Sequence, residues 1–266
     1  MGEQGTIDQV SKGGKYFALL VGVNKYADER RFPLLSGCVN DVKALKDILT
    51  KLGYCEVICL YDGGLEEPTK DNVECQLQYL SGVMAKEDTL LVHFSCHGQL
   101  HEDLPVLILK TTKLVNQGLS IIDLKKWMSA TGSDKLVLSL DACYSGAAVE
   151  RAGEDGESER FIQNVFENAE GFVTIASSRG QQKSQELAKE KYGLYSYYFI
   201  EGLQGAAVGK SKQSFVTTED IYKHILHRVR EACKKTPGIS QDPVRQAGGC
   251  GEIMLADYRT KRSLLF

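Results

Sequence analysis

Two short stretches of this chain carry the residue types that nucleophilic catalysis needs. One is Asp141-Ala-Cys-Tyr-Ser-Gly146, with a thiol at Cys143; the other is Cys96-His97-Gly98. A thiol becomes an effective nucleophile when a nearby imidazole or a helix N-terminus lowers its pKa. Imidazole can then move the proton near neutral pH. Taken singly, each residue has a bland alternative: an inert buried cysteine, or a solvated loop histidine. Their shared setting favours the catalytic reading, because each follows an apolar run and is followed at once by small residues. The sequence therefore predicts Cys143 as nucleophile and His97 as general base and acid, with the backbone N–H groups of Cys143 and Gly98 as oxyanion donors. Asp141, two residues before the thiol, lies on the same side of an extended chain. It either binds a cationic substrate group or caps local backbone. Asp41 has the same two readings, since a carboxylate in a first helical turn is also favoured by the helix dipole. His93 reads as a core residue, and His101, His224 and His227 as surface residues.

The elements that must position these groups can be read from periodicity. Leu136–Leu140 and Thr89–Ser95 are apolar runs of the length of strands buried on both faces of a parallel sheet. Open α/β sheets place their sites beyond the carboxyl ends of such strands, so His97 and Cys143 are expected on turns just past two strand ends. Tyr16–Val23 and Glu56–Tyr61 read as further strands, and Val106–Leu109 as a short hairpin return. Val42, Leu45, Ile48, Leu49 and Leu52 recur at helical spacing before Gly53, a C-cap. Thr69 caps a helix through Met84, and Ser120 with Asp123 resembles a capping box. Further on come a strand at Phe172–Ala176, helices at Tyr195–Leu203 and from Thr218, and a last strand at Ile253–Ala256. Val149–Arg160, charged and glycine-containing, reads as an exposed loop. Alternation of strands and helices predicts an α/β fold with a mostly parallel sheet covered on both faces.

Composition bounds the function classes. At 266 residues, with 42% hydrophobic and 25% charged, the chain fits one soluble globular domain. A formal net charge of -3 gives no electrostatic reason to expect nucleic acid or an anionic membrane as partner. No apolar run reaches the roughly 18–20 residues of a membrane span, and no signal peptide is visible. Met1-Gly-Glu-Gln-Gly-Thr fits the short myristoylation pattern, with a flexible leader as the plainer reading. The eight cysteines are scattered without zinc-ligand spacing, so no metal site is expected. They read as reduced, buried residues of a cytoplasmic protein.

At these residues the chain resembles the caspase-like cysteine peptidases, which include caspases, paracaspases, metacaspases and bacterial orthocaspases. The resemblance runs from Tyr16 to Ala256. It is carried by Ala18-Leu-Leu-Val-Gly-Val-Asn24, Leu35-Ser-Gly-Cys-Val-Asn-Asp41, His93-Phe-Ser-Cys-His-Gly98 and Leu140-Asp-Ala-Cys-Tyr-Ser-Gly146. Ala176–Gln182, Gly193–Gly202 and Gln241-Asp-Pro243 extend it into the second half. The distance from His97 to Cys143 is close to the roughly 50 residues found in caspases. Gly-Cys-x-Asn-Asp together with Asp-x-Cys-x-Ser-Gly points to the metacaspase and orthocaspase branch.

The resemblance implies a three-layer α/β/α fold around a mostly parallel sheet of about six strands. It implies a peptidase domain over 15–258, between a leader (1–14) and a tail (259–266). Within it, 15–148 resembles a large subunit, 149–160 a linker and 161–258 a small subunit. It also implies a His97/Cys143 dyad working through a thioester acyl-enzyme, and an S1 pocket lined by Asp41, Asp141 and Ser95. Two carboxylates in such a pocket favour Arg or Lys at P1. Protein or peptide substrates with basic P1 residues are expected, with control by a regulatory partner and no cofactor. Arg151, Arg160, Lys183, Lys189 and Lys191 are candidate self-cleavage positions. Two departures stand out: Cys96 replaces a frequent glycine before the histidine, and Gln117–Asp123 has one acid where calcium-dependent members carry a cluster. A hard cation wants six or more oxygens, so no calcium requirement is expected. The alternatives are a catalytically silent caspase-like scaffold, or another cysteine hydrolase or transferase with the same dyad.

Overall fold

A computed structural model describes residues 14–144, 154–169, 171–177, 192–208, 214–235, 241–247 and 251–259. The strands are β1 (Tyr16–Gly22), β2 (Glu56–Tyr61), β3 (Thr89–His101), β4 (Leu104–Ile108), β5 (Leu119–Ser120), β6 (Lys135–Tyr144), β7 (Val173–Ala176), β8 (Phe215–Thr217), β9 (Val244–Ala247) and β10 (Met254–Asp257). The helices are α1 (Cys38–Leu52), α2 (Lys70–Val83), α3 (Ile121–Ser129), α4 (Glu154–Asn168), α5 (Leu194–Leu203) and α6 (Thr218–Lys235). Among the described residues the main sheet runs β2-β1-β3-β6-β7-β9, with β4 and β5 added beside the end of β3. The pairings from β2 through to β7 are parallel, and only β9 runs against its neighbour on this path. This is the mostly parallel sheet of about six strands that was expected. No described helix is long and apolar enough to cross a membrane.

The period of two along each strand divides the core into two layers. Leu90, Val92 and Phe94 of β3 and Leu136, Leu138 and Leu140 of β6 pack with Val73 and Leu77 of α2, Leu124 of α3 and Phe161 and Val165 of α4. The alternate residues Leu91 and Val137 pack with α1, α5 and α6 through Val42, Leu45, Tyr195, Phe199, Ile221 and Ile225. Within β3, His93 and Ser95 fall in the second phase. Both bond to polar partners, Ser139 and Asp41 respectively.

The Thr69 and Ser120 side chains cap their helices, while Asp123, expected to close a box with Ser120, instead accepts from Lys70 Nζ at 3.0 Å. Thr69 accepts from the Asn72 N–H at 3.2 Å and Ser120 from the Asp123 N–H at 3.0 Å. Gly22 is required at the end of β1: a Cβ there would lie 2.5 Å from the Cys38 carbonyl oxygen and 2.8 Å from Val42 Cγ2. Without it, the N-terminus of α1 could not press against the strand end that brings Asp41 inward.

Several expectations are corrected. β3 does not stop at Ser95 but runs on to His101, then turns through Glu102 and Asp103, both at positive φ, into β4. β6 likewise continues to Tyr144. Both site residues therefore lie inside strands rather than on turns beyond them. From Glu154 onward the supposed loop is the start of α4, whose Phe161, Ile162 and Val165 are buried. The strand at the end of the chain pairs with β8 in a separate two-stranded sheet. Cys38 and Cys96 are buried as expected, but Cys55 and Cys75 are exposed. His224, expected at the surface, has a side chain only 11% exposed, facing Glu201.

His93 is fully buried, and burial pushes its pKa down to about 3. The ring stays neutral in the folded protein while the unfolded chain takes up a proton near the ordinary value of about 6.5. Its contribution to stability is complete above that value and is lost as pH falls towards 3. Between those limits it amounts to about 1.4 kcal/mol per pH unit. Unfolding free energy measured against pH should fall more steeply in the wild type than in His93→Gln. Parallel curves would show that this histidine does not titrate on unfolding.

Candidate active site

The pairing of β3 with β6 sets the site. Their parallel register aligns Ser95 with Asp141, Cys96 with Ala142, His97 with Cys143 and Gly98 with Tyr144. Neighbouring strands lie about 4.8 Å apart, so the backbones of His97 and Cys143 are immediate neighbours despite their separation in sequence.

His97 is buried, and its ring is held at one nitrogen. Its Nε2 lies 2.7 Å from the carbonyl oxygen of Pro33. A carbonyl only accepts, so Nε2 carries the hydrogen and Nδ1 of the neutral ring carries the lone pair. Nδ1 is buried and has no hydrogen-bond partner among the described residues. Burial pulls the imidazole below its usual range, and the bond to Pro33 opposes that pull. The result is a neutral base whose acceptor nitrogen is engaged by none of the described residues.

The acids come from a helix start and a strand end. Asp41, in the first turn of α1, accepts from Ser95 Oγ at 2.8 Å and from the Gly193 N–H at 3.1 Å. Asp141 Oδ2 accepts from Ser196 Oγ at 2.7 Å and from the Ser196 N–H at 3.2 Å. Gly193 is the N-cap of α5 and Ser196 sits in its first turn. Both carboxylates therefore take up N–H groups that the start of a helix leaves without intrahelical partners. A Cβ on Gly193 would lie 2.4 Å from Asp141 Oδ2 and 3.2 Å from Asp41 Oδ2. The two acids thus flank a single point that only glycine leaves open.

Electrostatically, two buried carboxyls this close disfavour each other's charge. Burial, then the charge of Asp141, hold the Asp41 carboxyl well above its ordinary range, against the bonds from Ser95, Gly193 and Ser196. Burial also raises Asp141, with Ser196 and Ser177 pulling the other way. Among the described residues no Lys or Arg is buried to offset these charges.

Of the residues singled out from the sequence, the structure brings together His97, Cys143, Asp41, Asp141 and Ser95. Gly98 lies inside β3 between Leu107 of β4 and Tyr144 of β6, and a Cβ there would meet Phe161 Cζ at 2.6 Å. Its lack of a side chain thus has a packing reason. Arg160 is in α4, ion-paired with Asp103 at the hairpin tip. Arg151, Lys183, Lys189 and Lys191 lie outside the described residues. Sequence reasoning missed Pro33, Gly193, Ser196 and Tyr26, all of which act through contacts that only the fold creates. The available signal for Tyr26 was a large aromatic in an otherwise polar loop.

A model of the caspase-domain family of peptidases matches residues 15–247. The chain belongs to that family. Caspase-domain relatives include metacaspase-1 of Emericella nidulans, 28% identical over 227 residues, which covers 76% of this chain and 50% of that protein. Metacaspase-1 of Meyerozyma guilliermondii is 28% identical over 156 residues, covering 52% of this chain and 37% of its own length. The chain thus spans about half or less of the length of these relatives. Among solved structures, protein GSU0716 from Geobacter sulfurreducens superposes with a TM-score of 0.58 at 17% identity, covering 87% of this chain and 92% of that one. At that identity the likeness speaks for the caspase-like fold alone.

Proposed function

We propose that this caspase-domain chain is a cysteine endopeptidase that cleaves after Arg or Lys. The observation that carries the reading is a neutral His97 with a buried Nδ1 that no described residue engages, in register beside Cys143 and next to a dicarboxylate hole. In the first half-reaction His97 Nδ1 takes the Cys143 thiol proton as sulfur attacks the scissile carbonyl carbon. Backbone N–H groups of Gly98 and Cys143 are the proposed donors to the oxyanion. The intermediate collapses when the imidazolium gives its proton to the leaving amine, leaving a thioester on Cys143. Water, deprotonated by His97, then hydrolyses that thioester and restores the thiol.

The P1 preference follows from charge. A guanidinium entering between Asp41 and Asp141 supplies the positive charge that the pocket lacks and presents donors to both acids. An acidic P1 side chain would add a third negative charge. A panel of fluorogenic peptides differing only at P1 tests this. Arg and Lys peptides are expected to exceed the Asp peptide by at least about 100-fold in kcat/KM. Indifference to P1 charge would overturn the pocket assignment.

Self-processing is part of the proposal at Arg151 or at Lys183, Lys189 and Lys191. Arg160 could serve only after local unfolding of α4, because proteases bind extended chain. We further propose activity in a regulated cytoplasmic pathway under a protein partner.

A further inference from the structure

Tyr26 lies in a loop rich in charge, Asn24-Lys-Tyr-Ala-Asp-Glu-Arg-Arg-Phe32, yet it is 4% exposed. Its hydroxyl is engaged twice: it donates to the Val23 carbonyl at 3.1 Å and accepts from the His97 N–H at 3.0 Å. Its ring also stacks on the His97 imidazole, with centroids 4.9 Å apart and planes at 28°. Phe32 packs against the same tyrosine at 6.0 Å, and the next residue is Pro33, whose carbonyl takes the Nε2–H. One loop thus grips the histidine at its main-chain N–H, its ring face and its far nitrogen.

The loop is itself anchored. Asp62 Oδ2 accepts from the Asn24 and Lys25 N–H groups at 2.6 and 3.0 Å, and the Ala27 N–H bonds to the Lys110 carbonyl at 2.8 Å. Lys110 Nζ reaches Asp62 at 3.5 Å. We propose that Tyr26 is a positioning residue for His97, its hydroxyl fixing the backbone and its ring fixing the plane in which Nδ1 meets the nucleophile. This rests on His97 acting as the base.

The physical requirement is narrow. A neutral imidazole works here in one tautomer and one orientation, and a displacement near 1 Å can cost about 100-fold in rate. A single bond to Pro33 leaves the ring free to tilt about it, whereas a stacked aromatic face removes that freedom. The face also favours the imidazolium that forms once the thiol proton has moved. The titratable groups that act on the Tyr26 phenol are Cys96, Cys38 and Asp62, and the backbone of Cys143 on β6 pairs with that of His97. Burial keeps that phenol neutral.

The test is steady-state kinetics on an Arg peptide with wild type, Tyr26→Phe and Tyr26→Leu, each over a range of pH. Tyr26→Phe keeps the ring but leaves a buried N–H without its acceptor; kcat is expected to fall about 10-fold with KM within about 2-fold. Tyr26→Leu also loses the stack; kcat should fall about 100-fold and the acidic limb of the profile should move to lower pH. Alkylation of Cys143 by iodoacetamide, followed by peptide mass spectrometry, gives a readout independent of turnover and should slow in the same order. Wild-type kcat and alkylation in both variants would overturn the inference. So would losses that vanish once rates are normalised to the folded fraction. Should Tyr26→Leu fail to fold, Tyr26→Phe alone decides. Cys143→Ala and His97→Ala run alongside keep the two readings apart: turnover surviving in those would refute the dyad, not the role of Tyr26.

Discussion

Cys143→Ala is expected to reduce kcat on an Arg-terminated fluorogenic peptide by at least about three orders of magnitude, while leaving peptide binding intact. Removing a nucleophile eliminates the covalent route altogether, and what survives is the residual effect of binding and oxyanion donors. The register that sets Cys143 beside His97 makes the expectation specific to this thiol. The buried thiol of Cys38 is held in its protonated form: burial, then the Asp41 charge, push its pKa well up. Cys38→Ala should therefore leave the chemical step in place. Mass spectrometry of wild type beside Cys143→Ala would report self-processing in the same experiment, as new termini after Arg or Lys in the wild type alone. Wild-type turnover in Cys143→Ala would refute the peptidase mechanism, and the same fragments in both proteins would refute self-processing.

The second large effect is expected at the paired acids. Asp41→Asn or Asp141→Asn should lower kcat/KM for Arg peptides by about 100- to 1,000-fold, since each removes one partner of a desolvated charge pair. The Arg preference over neutral P1 residues should shrink by the same factor. pH provides an independent check. Both carboxyls are raised above their ordinary range, so they begin to take up protons at higher pH than exposed acids do. A proton on either competes with the substrate cation, so KM for a basic peptide should rise as pH falls through that raised range. KM for a peptide with neutral P1 should not follow. A KM for Arg peptides that is flat with pH and untouched by either substitution would place the basic side chain elsewhere.

Much of this site is legible in the amino-acid sequence because strands write their burial into it. Leu90, Val92 and Phe94 alternate with His93 and Ser95, and Leu136, Leu138 and Leu140 with Ser139 and Asp141. That alternation predicts which residues reach which layer. Strand ends are less legible. Gly98 reads as a breaker in one dimension, yet it is small because Phe161 of α4 occupies the space its side chain would need. Likewise Glu154–Glu159 looks like solvated loop until the apolar Phe161, Ile162 and Val165 downstream show the helix it begins. Main-chain groups are not legible at all. The carbonyl of Pro33 and the N–H of Gly193 are present in every residue of their kind, and only tertiary structure aims them at His97 and Asp41.

The acidic hole is assembled from both sides of the 145–153 stretch. Asp41 and Asp141 lie before it, whereas Gly193 and Ser196, which clasp them, lie after it. β6 and β7 lie on either side of the same stretch and are zipped by their own ladder. Scission of the backbone there would thus yield two polypeptides but one particle: a doublet on a denaturing gel, a single peak on a sizing column. The severed halves would stay joined through the same carboxylate contacts that link the two parts of the chain.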